Sequence, residues 1–541
     1  MAVILLGSLA LQLYEIGEPW VGLKDYNGAI YGILSRNFIK YGYLATRFGP
    51  AANTGPVPDG GFTYYLHHPP LFYLIISLSY HIFGVNEWSA RLVPIIFSVF
   101  SLFFFFRFVR AVWCKETALF STLFLAFLPI NLYFSRVVIQ ESSITLGVVL
   151  MLWYYHRWRL GRRPTEYWKI VLCFVLFGLI DWPAYYLLPL LALHTLTVDR
   201  GKRSPGRRRM VLLPLFGVLL FLADLGYTAW LSSYQSGGGL LNAFFFRSNA
   251  KTPFLVYSLV DFLKVEAQRG YHLFTPLVLV FSLFWLFKRL AGRRDLLERD
   301  LYVVLLLLFG LIHVVLFKNA SYVHEFWLYH LCMGTALSAG IAVSELLGSR
   351  FFSKSRAIGR VAYLIIVALF IYLSVPELVR LHRVDEDRDL TIAGMRIGDM
   401  SDESERVIVY WEKPLPPIVG KYFRYYGSPI YTKPIPNVAY YADRNIRWGV
   451  SGLKDFEALV DDTNGRYDFF LTRIGFLRDG MSTDIKRYLL ENFDPVFMLD
   501  QKGNAVDASL MSSFLKGEAV PVQEGVIVFE KKGRCIQADT E

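Results

Sequence analysis

Long apolar runs, separated by short basic stretches, fill the chain from its second residue to about position 378 and then stop. An α-helix rises about 1.5 Å per residue, so a bilayer core takes about 20 mostly apolar residues to cross. Runs of this kind over 1–378 predict about eleven transmembrane helices. The first, at 2–13, has neither a basic stretch before it nor a small-residue cleavage site after it, and so predicts a retained helix. The run at 70–84 follows Pro69 and cannot span if the basic clusters around Arg107 and Arg157 are both to face the cytoplasm, which predicts a helix lying on the outer face of the membrane or re-entering it. Beyond 378 the pattern changes to short alternating strands at 406–411, 467–472 and 525–529, with a helical stretch at 482–493. The expectation is an α-helical polytopic membrane domain over 1–378, with a first external loop at 18–90, and a small soluble α/β domain over 379–541.

Composition supports lipid as the solvent: 54% of the 541 residues are hydrophobic and 16% aromatic, more apolar surface than an ordinary soluble core buries. The net charge of +11 changes the picture only through its placement. Basic residues gather in five clusters, around Arg107, Arg157, 200–209, 288–299 and 350–360, instead of covering one soluble face, which argues against nucleic acid. The positive-inside rule sets all five in the cytoplasm. The N-terminus is then inside and the C-terminal domain outside, with the plasma (inner) membrane as the expected location. Cys114, Cys173, Cys332 and Cys535 stand far apart and encode no disulfide framework or zinc knuckle. No internal repeat is evident, which weakens an inverted-repeat transporter.

With this parity the polar residues outside the basic clusters fall at external helix ends. Asp25, beside Lys24, opens an amphipathic segment; it is either a helix N-cap or a carboxylate able to take a proton from an acceptor hydroxyl. His67 and His68 precede Pro69-Pro70, a helix-start signal, and could touch a phosphate or sugar hydroxyl. Arg136, Gln140 and Glu141 stand at the mouth of the bundle, where Arg136 could pair with phosphate and Glu141 could hold a divalent cation or bond the sugar. The other reading of that Arg and Glu is snorkelling to the interface. Asp181-Trp182-Pro183 reads as a hairpin turn with a belt aromatic. His324 and Glu325, next to Phe326 and Trp327, suit stacking and polar contact with a sugar. The loop at 228–271 carries a run of glycines at 237–239 and the cations Arg247, Lys251 and Arg269, which could meet a lipid phosphate. No phosphate loop, metal spacing or nucleophile motif marks the tail.

In order, these segments form a pattern: "Asp-Tyr-Asn-Gly-Ala-Ile-Tyr-Gly-Ile-Leu-Ser-Arg-Asn" from Asp25, "His-His-Pro-Pro-Leu" from His67, "Asn-Glu-Trp-Ser-Ala-Arg-Leu" from Asn86 and "Ser-Arg-Val-Val-Ile-Gln-Glu" from Ser135. The pattern resembles the GT-C glycosyltransferases, and within them the protein O-mannosyltransferase and aminoarabinose-transferase-like group. It covers residues 1–200, extends more loosely through His324 and Glu325, and says little about the tail.

The resemblance implies inverting transfer from a polyprenyl-phosphate sugar to a protein, lipid or glycan acceptor on the non-cytoplasmic face. Asp25 would be the general base and Glu141 the second acid. Arg136, His67 and His68 would line the donor site, with Lys24, Gln140, Asp181, Trp182, His324 and Glu325 among the substrate contacts. The chain departs from the group where Tyr26 replaces the second acid that many members carry after the first, so a metal at this loop does not transfer; a divalent ion at Glu141 is the one cofactor left open. The rival from another class is a transporter or flippase with an external sensor domain, which predicts ionisable residues deep inside spans and broken helices.

Overall fold

The computed structural model describes residues 1–57, 61–199, 205–232, 240–249, 256–291, 297–349, 352, 356–410, 435–461 and 467–533. The glycines at 237–239, Lys251, Cys535 and parts of the basic clusters at 200–209, 288–299 and 350–360 lie outside them. In chain order the helices are α1 (Ala2–Gln12), α2 (Tyr26–Lys40), α3 (Leu71–Phe83), α4 (Glu87–Val112), α5 (Lys115–Phe127), α6 (Pro129–Phe134), α7 (Glu141–Gly161), α8 (Pro164–Gly178), α9 (Ala184–Val198), α10 (Pro205–Ser232), α11 (Leu240–Ser248), α12 (Leu259–Leu273), α13 (Pro276–Ala291), α14 (Asp300–Leu316), α15 (Lys318–Val323), α16 (Cys332–Leu347) and α17 (Arg356–His382). The remainder runs α18 (Arg388–Met400), β1 (Arg406–Val409), α19 (Ile435–Ala442), β2 (Asn445–Trp448), α20 (Leu453–Asp461), β3 (Tyr467–Arg473), α21 (Thr483–Asn492), β4 (Phe493–Asp500), α22 (Ala508–Leu515) and β5 (Gly525–Lys531).

The chain forms two compact units, one from Met1–Gly17, Leu66–Trp230 and the later helices to Val384, the other from Glu18–Tyr65 with the chain from Asp385 onward. This differs from a division at 378 that leaves 18–90 with the membrane helices: residues 18–65 fold with the tail.

The first unit is helical. Among the described residues four helices are long and apolar enough to cross a membrane, at Glu87–Val112, Gly206–Leu231, Glu325–Leu347 and Ala357–His382, and the pair α12 and α13, bent by 111°, could count as a fifth. Length alone does not reach eleven spans. One reason is local: the apolar stretch at 116–134 breaks at Leu128, and Pro129 restarts it as the six-residue α6. Helix α3, at 13 residues, is about 20 Å long and too short to cross. Caps mark several starts; the Asn86 side chain accepts the Ser89 amide at 3.0 Å to open α4. Close packing uses small residues: a Cβ at Gly340 on α16 would stand 2.1 Å from the Ser121 hydroxyl on α5, so only glycine admits that approach.

The second unit holds a five-stranded sheet in the order β2-β1-β3-β5-β4. Strands β1, β2 and β3 are parallel, and β5 runs antiparallel to both β3 and β4. The centre strand β3 is buried on both faces from Tyr467 to Thr472, which explains its nearly continuous apolar sequence. Phe456, Phe470, Phe493 and Phe529 pack in its core. The strands expected at 406–411, 467–472 and 525–529 appear as β1, β3 and β5; β2 and β4 were not anticipated.

The first loop is part of this unit. Trp20 is fully buried; its amide donates to the Tyr441 hydroxyl at 2.9 Å, and its carbonyl accepts from Asn437 on α19 at 2.6 Å and Thr391 on α18 at 3.1 Å. Its indole also lies against Gly28 of α2, where a Cβ would meet the ring at 2.4 Å. Further along α2, Arg36 and Lys40 both reach Asp443, at 2.8 and 2.7 Å.

Candidate active site

In the helical unit a turn and a helix start bring together two segments more than a hundred residues apart. The turn between α8 and α9 carries Asp181, Trp182 and Pro183, and the approach to α3 carries His67 and His68. Nδ1 of His68 lies 2.7 Å from Oδ1 of Asp181, which also accepts the Trp182 amide at 2.8 Å. The Trp182 indole N–H donates to the His67 carbonyl at 2.8 Å. Both members of the pair are about nine-tenths buried. With Nδ1–H given to the carboxylate, Nε2 of His68 turns its lone pair outward, and Nη2 of Arg247 stands 3.5 Å from it. Asp181 is thus more than a turn former: it orients His68.

Arg247 also lines an apolar cavity of about 370 Å³, walled by Trp182, Tyr186, Pro214, Phe221 and Phe317 among others. Among the described residues that line it, Arg247 is the one charged group, and it sits beside the His68–Asp181 pair. An extended apolar molecule with an anionic end matches such a site: walls for the chain, a guanidinium for the charge.

Glu141 begins α7, is 8% exposed, and its Oε2 has no hydrogen-bond partner among the described residues. It lies within electrostatic reach of Asp181 and Arg247. A buried, unbonded carboxylate oxygen costs free energy unless a ligand group meets it. Gln140 donates to the Tyr73 hydroxyl at 3.1 Å. Arg136 spends one terminal nitrogen on the Glu15 carbonyl at 2.9 Å, fixing the exit of α1. His324 stacks on Phe326 with ring centres 5.3 Å apart, and Glu325 opens the 3₁₀ turn Glu325–Leu331 and reaches toward Arg380 electrostatically. Among the described residues no three His, Cys, Asp or Glu side chains converge as a metal site requires, and the surroundings of Glu141 form no such set.

Two groups were missed from sequence. His313 on α14 and His330 in the 3₁₀ turn are buried, 4% and 1% exposed, with ring centres 4.7 Å apart. The available signal was an ionisable residue inside an apolar helix, which on its own names no partner.

Asp25 and Lys24 belong to the other unit. Asp25 occupies the N-cap position of α2, yet its carboxylate does not cap the helix; Oδ2 accepts the Gly22 amide at 3.0 Å, and the residue is 7% exposed. Lys24 has a positive φ of 68°, and its amide donates to a Glu386 carboxylate oxygen at 3.2 Å. The Glu386 amide returns a bond to the Val21 carbonyl, and Gly22 bridges to Asp385. The turn that presents Asp25 is therefore held by the segment just after α17.

Known proteins bear on this arrangement. The model of the dolichyl-phosphate-mannose-protein mannosyltransferase family matches residues 67–227, the segment holding His67, His68, Arg136, Glu141 and Asp181. The chain is similar in fold to ArnT from Cupriavidus metallidurans bound to undecaprenyl phosphate, with a TM-score of 0.61 at 13% identity over 97% of both chains. It is similar to the Archaeoglobus fulgidus oligosaccharyltransferase, with a TM-score of 0.55 at 11% identity over 93% of this chain and 74% of that one. An uncharacterized protein of Aquifex aeolicus (strain VF5) is 28% identical over 188 residues; the match spans 35% of each chain. The fold is that of the GT-C glycosyltransferases, and the resemblance read from the motifs holds.

Proposed function

We propose that this protein is an inverting membrane glycosyltransferase that moves a sugar from a polyprenyl-phosphate donor to a protein, lipid or glycan acceptor on the non-cytoplasmic face. The observation that carries the reading is the apolar cavity ending at Arg247 beside the His68–Asp181 pair. The isoprenoid chain takes the apolar walls, and the phosphate meets the guanidinium, which the His68 imidazole helps to hold. That ArnT was solved with undecaprenyl phosphate supports the same class of ligand.

The acceptor oxygen forms a bond to the anomeric carbon from the face opposite the phosphate, and the bond from that carbon to the phosphate oxygen breaks. The polyprenyl phosphate leaves with the electron pair, and Asp25 takes the acceptor proton. Arg247 offsets the charge that grows on the departing phosphate, and His68 holds the guanidinium in place through Nε2. Glu141 bonds a sugar hydroxyl, Gln140 and Trp182 shape the donor pocket, and Arg136 and His67 support it through the backbone contacts they make. The basic clusters between apolar runs support cytoplasmic loops on one side, with the chemistry and the tail on the other. The buried histidines and the bent pair α12 and α13 are features that a transporter or flippase would share, so transport is the competing reading.

The test is transfer of labelled sugar from a panel of polyprenyl-phosphate donors to endogenous acceptors, in membranes holding wild type, Asp25→Asn or Arg247→Ala at matched expression. Transfer by wild type, lost in Asp25→Asn and starved of donor in Arg247→Ala, supports the reading and identifies the sugar. No transfer with any donor overturns it in favour of transport. Equal transfer by wild type and Asp25→Asn removes Asp25 as the base.

A further inference from the structure

We propose that His313 and His330 form the part of the donor site that selects the sugar, by hydrogen-bonding hydroxyls of the sugar ring. The inference rests on the reading of the cavity as a donor site and adds the recognition of the group being transferred.

Three observations place the pair. Both imidazoles are more than nine-tenths buried, and Nδ1 of each is sealed from water with no hydrogen-bond partner among the described residues. Buried ring nitrogens are nearly always satisfied, so two adjacent ones left open point to a ligand that satisfies them. The pair also stands next to the cavity: the His313 ring is 6.1 Å from Tyr186 and 5.6 Å from Phe317, both cavity-lining residues. Finally it lies beside the charged cluster, with His313 in electrostatic reach of Arg247 and His68, and His330 in reach of Asp181.

Chemistry separates the two ends of this region. A phosphate only accepts hydrogen bonds, and Arg247 supplies donors alone. A sugar hydroxyl both donates and accepts, and a neutral imidazole does the same with its two nitrogens. The geometry holds the rings still. His313 is stacked on Trp327, with centres 4.4 Å apart and planes 11° from parallel, while His330 meets it nearly edge-on at 85°. The His330 ring also packs on Phe309 at 5.4 Å, and the backbone at His330 and Leu331 lies directly against Gly310 of α14. Rings fixed in this way discriminate hydroxyl positions, because a misplaced hydroxyl leaves a buried nitrogen unpaired.

The experiment uses the full chain in nanodiscs, with the polyprenyl-phosphate sugar that wild type turns over, its singly deoxygenated analogues, and sugar-free undecaprenyl phosphate. Wild type should lose at least about tenfold in kcat/KM for one or two of the deoxy donors. His313→Gln and His330→Asn should lose a similar factor with the parent donor and show little further loss with those same deoxy donors, while binding of undecaprenyl phosphate stays within about twofold of wild type. Variants that keep the full deoxy penalty overturn the proposal, as does unchanged turnover. Loss of undecaprenyl phosphate binding in the variants also overturns it, since the histidines would then serve the packing of the site. Failure of wild type to bind undecaprenyl phosphate at all is a different result, and rejects the donor-site reading itself.

Discussion

A carboxylate oxygen of Glu386 accepts the backbone amide of Lys24 at 3.2 Å, one residue before Asp25, and joins the start of the tail to the turn that carries the proposed base. Lys24 holds a left-handed φ of 68°, a conformation a non-glycine residue keeps only when its surroundings impose it. If Asp25 is the base proposed above, Glu386 is a positioning residue acting through it. Glu386→Ala should lower kcat about 10- to 100-fold, the scale on which a misplacement of about 1 Å acts, with the affinity for undecaprenyl phosphate unchanged. Glu386→Gln, which keeps an acceptor oxygen, should restore part of the rate. Steady-state kinetics beside lipid binding makes the check; a parallel fall of both would remove the positioning role.

Asp181 fixes His68 through a bond of 2.7 Å between two largely buried side chains. Asp181→Ala leaves the imidazole without its partner, at about 1–3 kcal/mol, or roughly 5- to 150-fold in donor affinity. Asp181→Asn keeps an acceptor oxygen in place and should lose less. Titration with undecaprenyl phosphate measures both, and equal losses in Asp181→Asn and Asp181→Ala would show that charge, not orientation, is what Asp181 contributes.

Gly310 is packed against the turn that carries His330. A Cβ there would stand 2.6 Å from the Leu331 amide nitrogen and 2.7 Å from the His330 carbonyl, and backbone cannot move aside as a flexible side chain can. Gly310→Ala should cost about 1–3 kcal/mol by overpacking. The expected result is faster thermal inactivation of the detergent-solubilised protein, and a stability equal to wild type would mean that α14 shifts freely.

Burial pushes the Asp389 carboxyl on α18 above the ordinary carboxylate value, and Arg473, 2.6 Å away, pulls it back only in part. The folded chain therefore holds this proton more tightly than the unfolded one. The contribution is complete below the unfolded value of about 3.9 and is lost as pH rises through the folded value. Asp389→Asn should flatten the stability profile just above pH 4, read by proteolysis of the second unit across that range. An unchanged slope would place the titration elsewhere.

Much of this protein was legible in one dimension. The end of the apolar runs near 378 and the α/β tail follow from local periodicity and residue type, because solvation by lipid or water is decided within a single helix or strand, and the motifs around Asp25, His67, Arg136 and Glu141 were legible through their resemblance to a family. What local pattern does not contain is pairing over distance. That 18–65 folds with the tail depends on Trp20 finding Asn437 and Thr391, and on Arg36 and Lys40 finding Asp443, contacts across some four hundred residues. Asp181 looked like a turn residue until His68 was placed against it, and Arg247 was one cation of three in a loop until the cavity closed around it. His313 and His330 each sit in an apolar stretch whose pattern serves packing equally well. Only the tertiary structure sets their rings 4.7 Å apart with each Nδ1 unpaired among the described residues, because burial and hydrogen-bond satisfaction are properties of the assembled helices and not of any one of them.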